Sequence, residues 1–198
     1  MKISIVSLGC SKNLVDSEIM SGALTRSGHE ISPEDEADVI IVNTCGFIGD
    51  AKKESIDTIL DLSERKVSGS CQKLIVTGCL VERYAEVLKN ELPEVDAFWG
   101  TGNLLKIHEV LEDRRPGTIH KNPPGTIYDP DSPRVMLTPR HYAYVKVSEG
   151  CSRTCSFCTS KSSARAELEY VGGSQKTRSY SACSASSQRT ASACTSRC

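Results

Sequence analysis
The chain has 198 residues, enough for one domain and part of a second. Its 38% hydrophobic content and formal net charge of −1 signal neither a nucleic-acid binder nor a membrane-surface protein. No apolar run approaches the roughly 18 residues of a membrane span, and Met1–Cys10 is too short an apolar run for a signal peptide. The chain therefore reads as cytoplasmic, where its ten cysteines argue for metal or redox chemistry rather than disulfides.

Ile3–Leu8 predicts a first strand. Residues 14–27 carry Val15, Ile19, Ala23 and Leu24 at helical spacing, and Gly28 stops the helix. Val39–Val42 is a continuous β-branched run, as expected of a strand buried on both faces. Residues 51–64 predict a second helix with Ile56, Ile59 and Leu60 inward, and Lys52-Lys53-Glu54 reads as a solvated face of it. Leu74–Thr77 is a third strand. Residues 81–91 form a third helix with Tyr84, Val87 and Leu88 on one face and Pro93 just beyond. A short strand follows near Ala97–Trp99, then a fourth helix over 103–112 through Leu104, Ile107 and Leu111. Strands alternating with helices predict an α/β fold, an open and mostly parallel sheet with flanking helices over residues 1–112.

Three cysteines fall at equivalent places on that scheme. Cys10, Cys45 and Cys79 each follow a strand by two or three residues. Loops at the carboxyl ends of parallel strands line the ligand crevice, so three cysteines distant in sequence are expected at one edge. Gly9, Gly46 and Gly78 adjoin them and would let the backbone approach a bulky inorganic group. The alternative is three buried cysteines acting as small hydrophobes. Cys71 precedes a strand, at the opposite end of the sheet, and reads as a bystander. Asn13, Asp16, Glu18, Asn43 and Thr44 lie close enough in sequence to cap helices or to hydrogen-bond metal-bound sulfur. The four histidines show no metal-ligand spacing.

Residues 113–140 hold six of the eight prolines and predict an extended linker. Tyr142–Val147 then alternates, with Ala143, Val145 and Val147 on one side, and predicts a strand. The loop after it carries Cys151, Cys155 and Cys158 at C-x3-C-x2-C spacing. Three thiolates turned to one point leave a cubic iron–sulfur cluster one iron without a protein ligand, an open position of the kind catalytic sites keep. A zinc knuckle lacking its fourth ligand is the alternative.

Several stretches resemble one known family. Ser7-Leu8-Gly9-Cys10-Ser11-Lys12-Asn13-Leu14-Val15-Asp16-Ser17-Glu18, Asn43-Thr44-Cys45-Gly46-Phe47-Ile48 and Thr77-Gly78-Cys79 are similar to the N-terminal domain of the radical-SAM methylthiotransferases. Ala51–Ile56 is similar too, and His141–Cys151 resembles the entry to that family's radical-SAM domain. The resemblance covers residues 1 to about 159. It implies that Cys10, Cys45 and Cys79 hold an auxiliary [4Fe–4S] cluster whose open iron carries the sulfur to be inserted. It implies that Cys151, Cys155 and Cys158 hold a second [4Fe–4S] cluster that chelates S-adenosylmethionine. One electron, from a donor such as flavodoxin, would then generate a 5′-deoxyadenosyl radical that abstracts hydrogen from an unactivated carbon. The forms around the first two cysteines resemble the branch that methylthiolates the β-carbon of an aspartate in a small-subunit ribosomal protein. The tRNA-modifying branch is the runner-up.

The resemblance stops after Thr159. Residues 141–161 read as the first strand and cluster loop of an incomplete radical-SAM barrel. Residues 162–198 are rich in Ser, Ala, Thr and Arg, lack apolar periodicity, and predict a disordered or out-of-frame tail. Cys183, Cys194 and Cys198 have no ligand logic there. The barrel that would bind S-adenosylmethionine is absent, as is the family's C-terminal RNA-binding-like domain, so the chain as written is expected to be inactive, with no direct nucleic-acid site and no membrane partner. A non-catalytic iron–sulfur module and a thiol-redox or zinc protein are the competing functions.

Overall fold
A computed structural model describes residues 1–69, 71–102, 104–113, 115–121 and 131–147. Its centre is a six-stranded sheet in the order β2-β1-β3-β4-β5-β6. The strands are β1 (Lys2–Ser7), β2 (Glu30–Ile31), β3 (Val39–Thr44), β4 (Lys73–Gly78), β5 (Ala97–Trp99) and β6 (Thr118–His120). Every pairing is parallel. All six residues of β3 are buried, as its β-branched run predicts. Helices cover both faces: α1 (Ser11–Arg26) and the short α4 (Glu109–Glu112) on one, α2 (Gly49–Val67) and α3 (Cys79–Glu91) on the other. Phe98, Ile40 and Leu74 anchor the layer under α2 and α3; Trp99, Ile41 and Ile75 anchor the layer under α1.

The chain winds outward from β1 in both directions. After α1 it returns to β2 on one side of β1, and from β3 onward it continues on the other. The carboxyl ends of β1 and β3 therefore flank the point where winding reverses, where open parallel sheets form their crevice.

Helix facing departs from expectation. On α2, Ile59 is buried but Ile56 and Leu60 are 36% and 44% exposed, because Leu62, Ser55 and Ser63 complete the inner stripe instead. On α3, Leu80, Val81, Ala85 and Leu88 face inward while Val87 is 59% exposed. A break at Tyr84 (φ −130°, ψ 21°) turns the second half of that helix relative to the first. Lys53 and Glu54 are exposed, but Lys52 folds back to donate to the Tyr84 hydroxyl at 3.1 Å.

The expected helix over 103–112 becomes a 3₁₀ turn at Leu104–Lys106 followed by α4. Its buried residues are Leu104, Ile107 and Val110, spaced three apart, the period of a 3₁₀ turn rather than an α-helix. The Lys73 ammonium closes the end by donating to the carbonyls of Val110, Leu111 and Asp113.

The Pro-rich stretch is not a plain linker. Thr118–His120 adds β6, and residues 131–147 form a strap along α1. At Gly22 the strap's Pro133 backbone comes so near that a β-carbon would lie 2.4 Å from it. The strand expected at Tyr142–Val147 does not form: no residue there enters the ladder, and Tyr142 N–H donates to Pro139 in a turn. The alternation does not sort burial either: Tyr142, Tyr144, Val145 and Val147 are all exposed, while Lys146 points inward with its side chain 6% exposed. The strap explains why α1 is buried almost all round from Val15 to Leu24.

The corrected facing yields a direct test. Ile59→Ala should destabilise by about 2–5 kcal/mol, whereas Leu60→Ala and Val87→Ala should each stay within about 0.5 kcal/mol, as read from urea midpoints at constant m-value.

Candidate metal centre at the carboxyl edge of the sheet
Cys10 ends the loop after β1 and is the N-cap residue of α1. Cys45 follows β3, and Cys79 is the first residue of α3. The topology thus brings all three to the carboxyl edge, beside the point where winding reverses. Cys10 is exposed, Cys45 buried and Cys79 between the two. Cys71 lies at the other end, buried, with its sulfur 3.2 Å from the Lys73 carbonyl.

Glycines let the three loops meet one another. Gly9 (φ +87°) has the Cys45 sulfur 3.1 Å from where a β-carbon would sit. Gly78 (φ +101°) would drive a β-carbon to 2.4 Å from the Thr44 carbonyl oxygen. Both lie in the left-handed region that favours glycine, so the cysteine loops tolerate no side chain at these corners.

One carboxamide stitches the loops. Asn13 is 2% exposed; its Nδ2 donates to the carbonyls of Leu8 (2.9 Å) and Thr44 (3.0 Å). Its Oδ1 stands 3.8 Å from the Cys79 sulfur. Asn43 Nδ2 donates back to the Asn13 carbonyl and to the Ser17 hydroxyl. Thr44 donates its hydroxyl to the Thr77 carbonyl at 2.6 Å. Ser55 receives the Cys45 N–H at 3.2 Å. Neither Asn13, Asn43 nor Thr44 caps a helix: α1, α2 and α3 have no side-chain cap hydrogen bond. Asp16 and Glu18 serve the strap instead, described below.

Burial pushes the Cys79 thiol up to about 12; Lys12 opposes the shift, and the neighbouring Cys10 and Cys45 add to it. Among the described residues, no three His, Cys, Asp or Glu side chains stand close enough to ligate a single metal ion. A cubic cluster takes each thiolate on a separate iron, and an all-sulfur donor set on glycine-cornered loops suits it. Cys151, Cys155 and Cys158 lie outside the described residues, as does the tail with Cys183, Cys194 and Cys198.

The family model described as uncharacterized protein family UPF0004 matches residues 2–100. The chain belongs to the UPF0004 family. The matched span of this UPF0004 chain runs from β1 through β5, and so contains Cys10, Cys45 and Cys79. Among curated proteins, the chain is 52% identical over 161 residues to the ribosomal protein uS12 methylthiotransferase RimO of Trichlorobacter lovleyi. It is 53% identical over 159 residues to the protein of the same name from Solibacter usitatus. The match to the Geobacter sulfurreducens protein of that name is 52% over 161 residues. These matches take in 79–80% of the chain but only 34–36% of each relative's length. The chain thus spans about a third of the length of these relatives.

Sequence reasoning found the three cysteines but not the role of Asn13. Its signal is position: an amide three residues past a strand-end cysteine, inside a helix that offers its side chain no cap to fill.

A raised thiol pKa has a measurable sign. In the metal-free chain at pH 8, iodoacetamide should label Cys79 roughly 10³-fold more slowly than a thiol of ordinary pKa. The Cys79 rate should rise about tenfold per pH unit up to pH 10, as followed by peptide mass spectrometry.

Proposed function
We propose that this chain is the cluster-bearing N-terminal portion of a methylthiotransferase acting on ribosomal protein uS12, with Cys10, Cys45 and Cys79 as ligands of one [4Fe–4S] cluster. The observation that carries the reading is the meeting of three strand-end cysteines at the reversal point of a parallel sheet, in a chain about half identical to proteins bearing that name. Those names favour the ribosomal protein over tRNA as substrate. When bound, the cluster supplies an open iron on which a sulfur atom can be held for transfer. The chain's own residues do the rest. Gly9 and Gly78 bring the loops together, Asn13 holds them in register, and Cys79 gives up its proton on ligation, since a metal takes the thiolate.

The second site is Cys151, Cys155 and Cys158, proposed as ligands of a second [4Fe–4S] cluster that binds S-adenosylmethionine. Residues 1–112 together with β6 (Thr118–His120) form the cluster domain, the strap from 131 lies over α1, and 141–161 begin the radical-SAM part; the sequence after 161 contributes no ligand. A one-electron donor is required, and the reading places the protein in the cytoplasm. No helix among the described residues is long and apolar enough to cross a membrane.

Anaerobic reconstitution with iron and sulfide, followed by metal and sulfide analysis, tests this. Two clusters predict about eight irons per chain. Replacing Cys10, Cys45 and Cys79 together with alanine should leave about four. Zinc bound without sulfide overturns the reading, and loss of all iron in the triple variant overturns the division into two sites.

A further inference from the structure
The strand-end cysteines are not all held in the same way. Cys10 is the N-cap of α1, a helix seated along its outer face by the strap. There Glu18 accepts hydrogen bonds from Arg134 Nε (2.9 Å) and the Leu137 N–H (2.8 Å), and Asp16 meets Lys146 at 2.5 Å. Cys79 opens α3, and the first turn of α3 is set apart from the rest of that helix. Its start has no side-chain cap hydrogen bond, and the backbone leaves the helical region at Tyr84. An uncapped first turn keeps its leading N–H groups without helical partners. The break then removes much of the support that a turn gains from the turns continuing it.

Successive side chains hold this turn from different directions. Glu82 reaches the loop after β5: its Oε2 accepts the Thr101 N–H at 3.1 Å and the Thr101 hydroxyl at 3.4 Å. A β-carbon on the neighbouring Gly100 would lie 2.5 Å from that same oxygen. Arg83 reaches the loop after β3, where its Nη1 donates to the Gly46 carbonyl at 2.9 Å. That loop lies directly on the turn, since a β-carbon on Gly46 would stand 2.8 Å from the Cys79 carbonyl oxygen. Tyr84 reaches α2, its hydroxyl accepting from Lys52 Nζ at 3.1 Å. The Lys52 ammonium is 4.9 Å from the Tyr84 ring centroid and the Arg83 guanidinium 5.6 Å. Each tether sets a charged group against a neutral one, and such charge-assisted hydrogen bonds are roughly twice as strong as neutral ones.

We propose that Glu82, Arg83 and Tyr84 are positioning residues that hold the first turn of α3 as a separate carrier of Cys79, with Arg83 also fixing the Cys45 loop against it. Their place in a metal centre rests on the reading of these cysteines as cluster ligands, but the tethers are measurable in the metal-free chain. Because the turn ends at the break, losing a tether loosens Cys79 while the sheet beneath keeps its ladder.

The experiment uses the full chain, first without metal, with amide hydrogen exchange read by mass spectrometry on peptides spanning residues 79–85. Glu82→Ala and Arg83→Met should each speed exchange there about tenfold, the size expected for a hydrogen bond to a charged group. Peptides from β3 and β4 should keep the parent rate. Glu82→Gln, whose amide oxygen still accepts from Thr101, should also exchange at the parent rate. Lys52→Met should speed exchange about threefold, as for a cation on an exposed aromatic ring. The second readout is iron release to a chelator after anaerobic reconstitution, followed as loss of visible absorbance, in a chain with Cys151, Cys155 and Cys158 replaced by alanine. Glu82→Ala and Arg83→Met should release iron about tenfold faster. Glu82→Gln should release it at the parent rate, which separates a held position from general loss of stability. Parent-rate exchange in both Glu82→Ala and Arg83→Met overturns the carrier. Parent-rate iron release from variants whose turn has loosened overturns the positioning role. If those variants do not fold, parent-rate exchange in Lys52→Met overturns the proposal. A parent chain that binds no iron while the exchange results hold counts against the cluster reading alone.

Discussion
The Asn13 carboxamide lies buried between loops that leave three different strands, and its two N–H groups satisfy carbonyls from two of them, at Leu8 and Thr44. A buried carbonyl without a partner costs about 1–3 kcal/mol, so the loops after β1 and β3 can approach only if something donates between them. Asn13 does so from the first turn of α1, which ties helix placement to loop spacing. The cysteine edge follows. With Gly9 and Gly78 clearing the corners, the sulfur-bearing residues stand beside one another without touching a common point. The parallel register of β1, β3 and β4 fixes their height above the sheet.

Helix α1 works on two fronts. One side seals the sheet through Met20, Leu24 and Ala23; the other receives the strap through Asp16 and Glu18. The small residues Ser17, Ser21 and Gly22 make this possible, since the strap backbone rides directly over Gly22. Local polarity in α1 therefore reflects tertiary contact rather than water.

What could be read in the sequence was what local pattern encodes. The Val39–Val42 run announces a central strand, and the three cysteines announce the edge, because strand-to-loop spacing repeats about every 35 residues. The two-residue β2 and three-residue β6 leave almost no periodic signal, so the reversal point beside β1 was hidden until the strand order was seen. Tyr142–Val147 misled for a different reason. Alternation reports two unlike faces but not whether a ladder receives them, and here the salt bridge to Asp16 draws the Lys146 side chain inward while Tyr142 and Tyr144 on the same side stay exposed. A clue did exist: no lysine or arginine occurs between Asn13 and Thr25, an unusual composition for a helix face meant for water.

The strap also orders events in time. Its hydrogen bonds with α1 join residues 116 to 130 apart in sequence, and contacts so distant must wait for a large loop to close. On a ribosome emitting the chain from its N-terminus, α1 emerges long before Arg134 and Lys146. During that interval two carboxylates destined for burial can stay hydrated only if the outer face of α1 stays open. The domain is thus obliged to assemble its sheet first and close its outer layer last, and the carboxylates of Asp16 and Glu18 keep that face wet until the chain that covers it has been made.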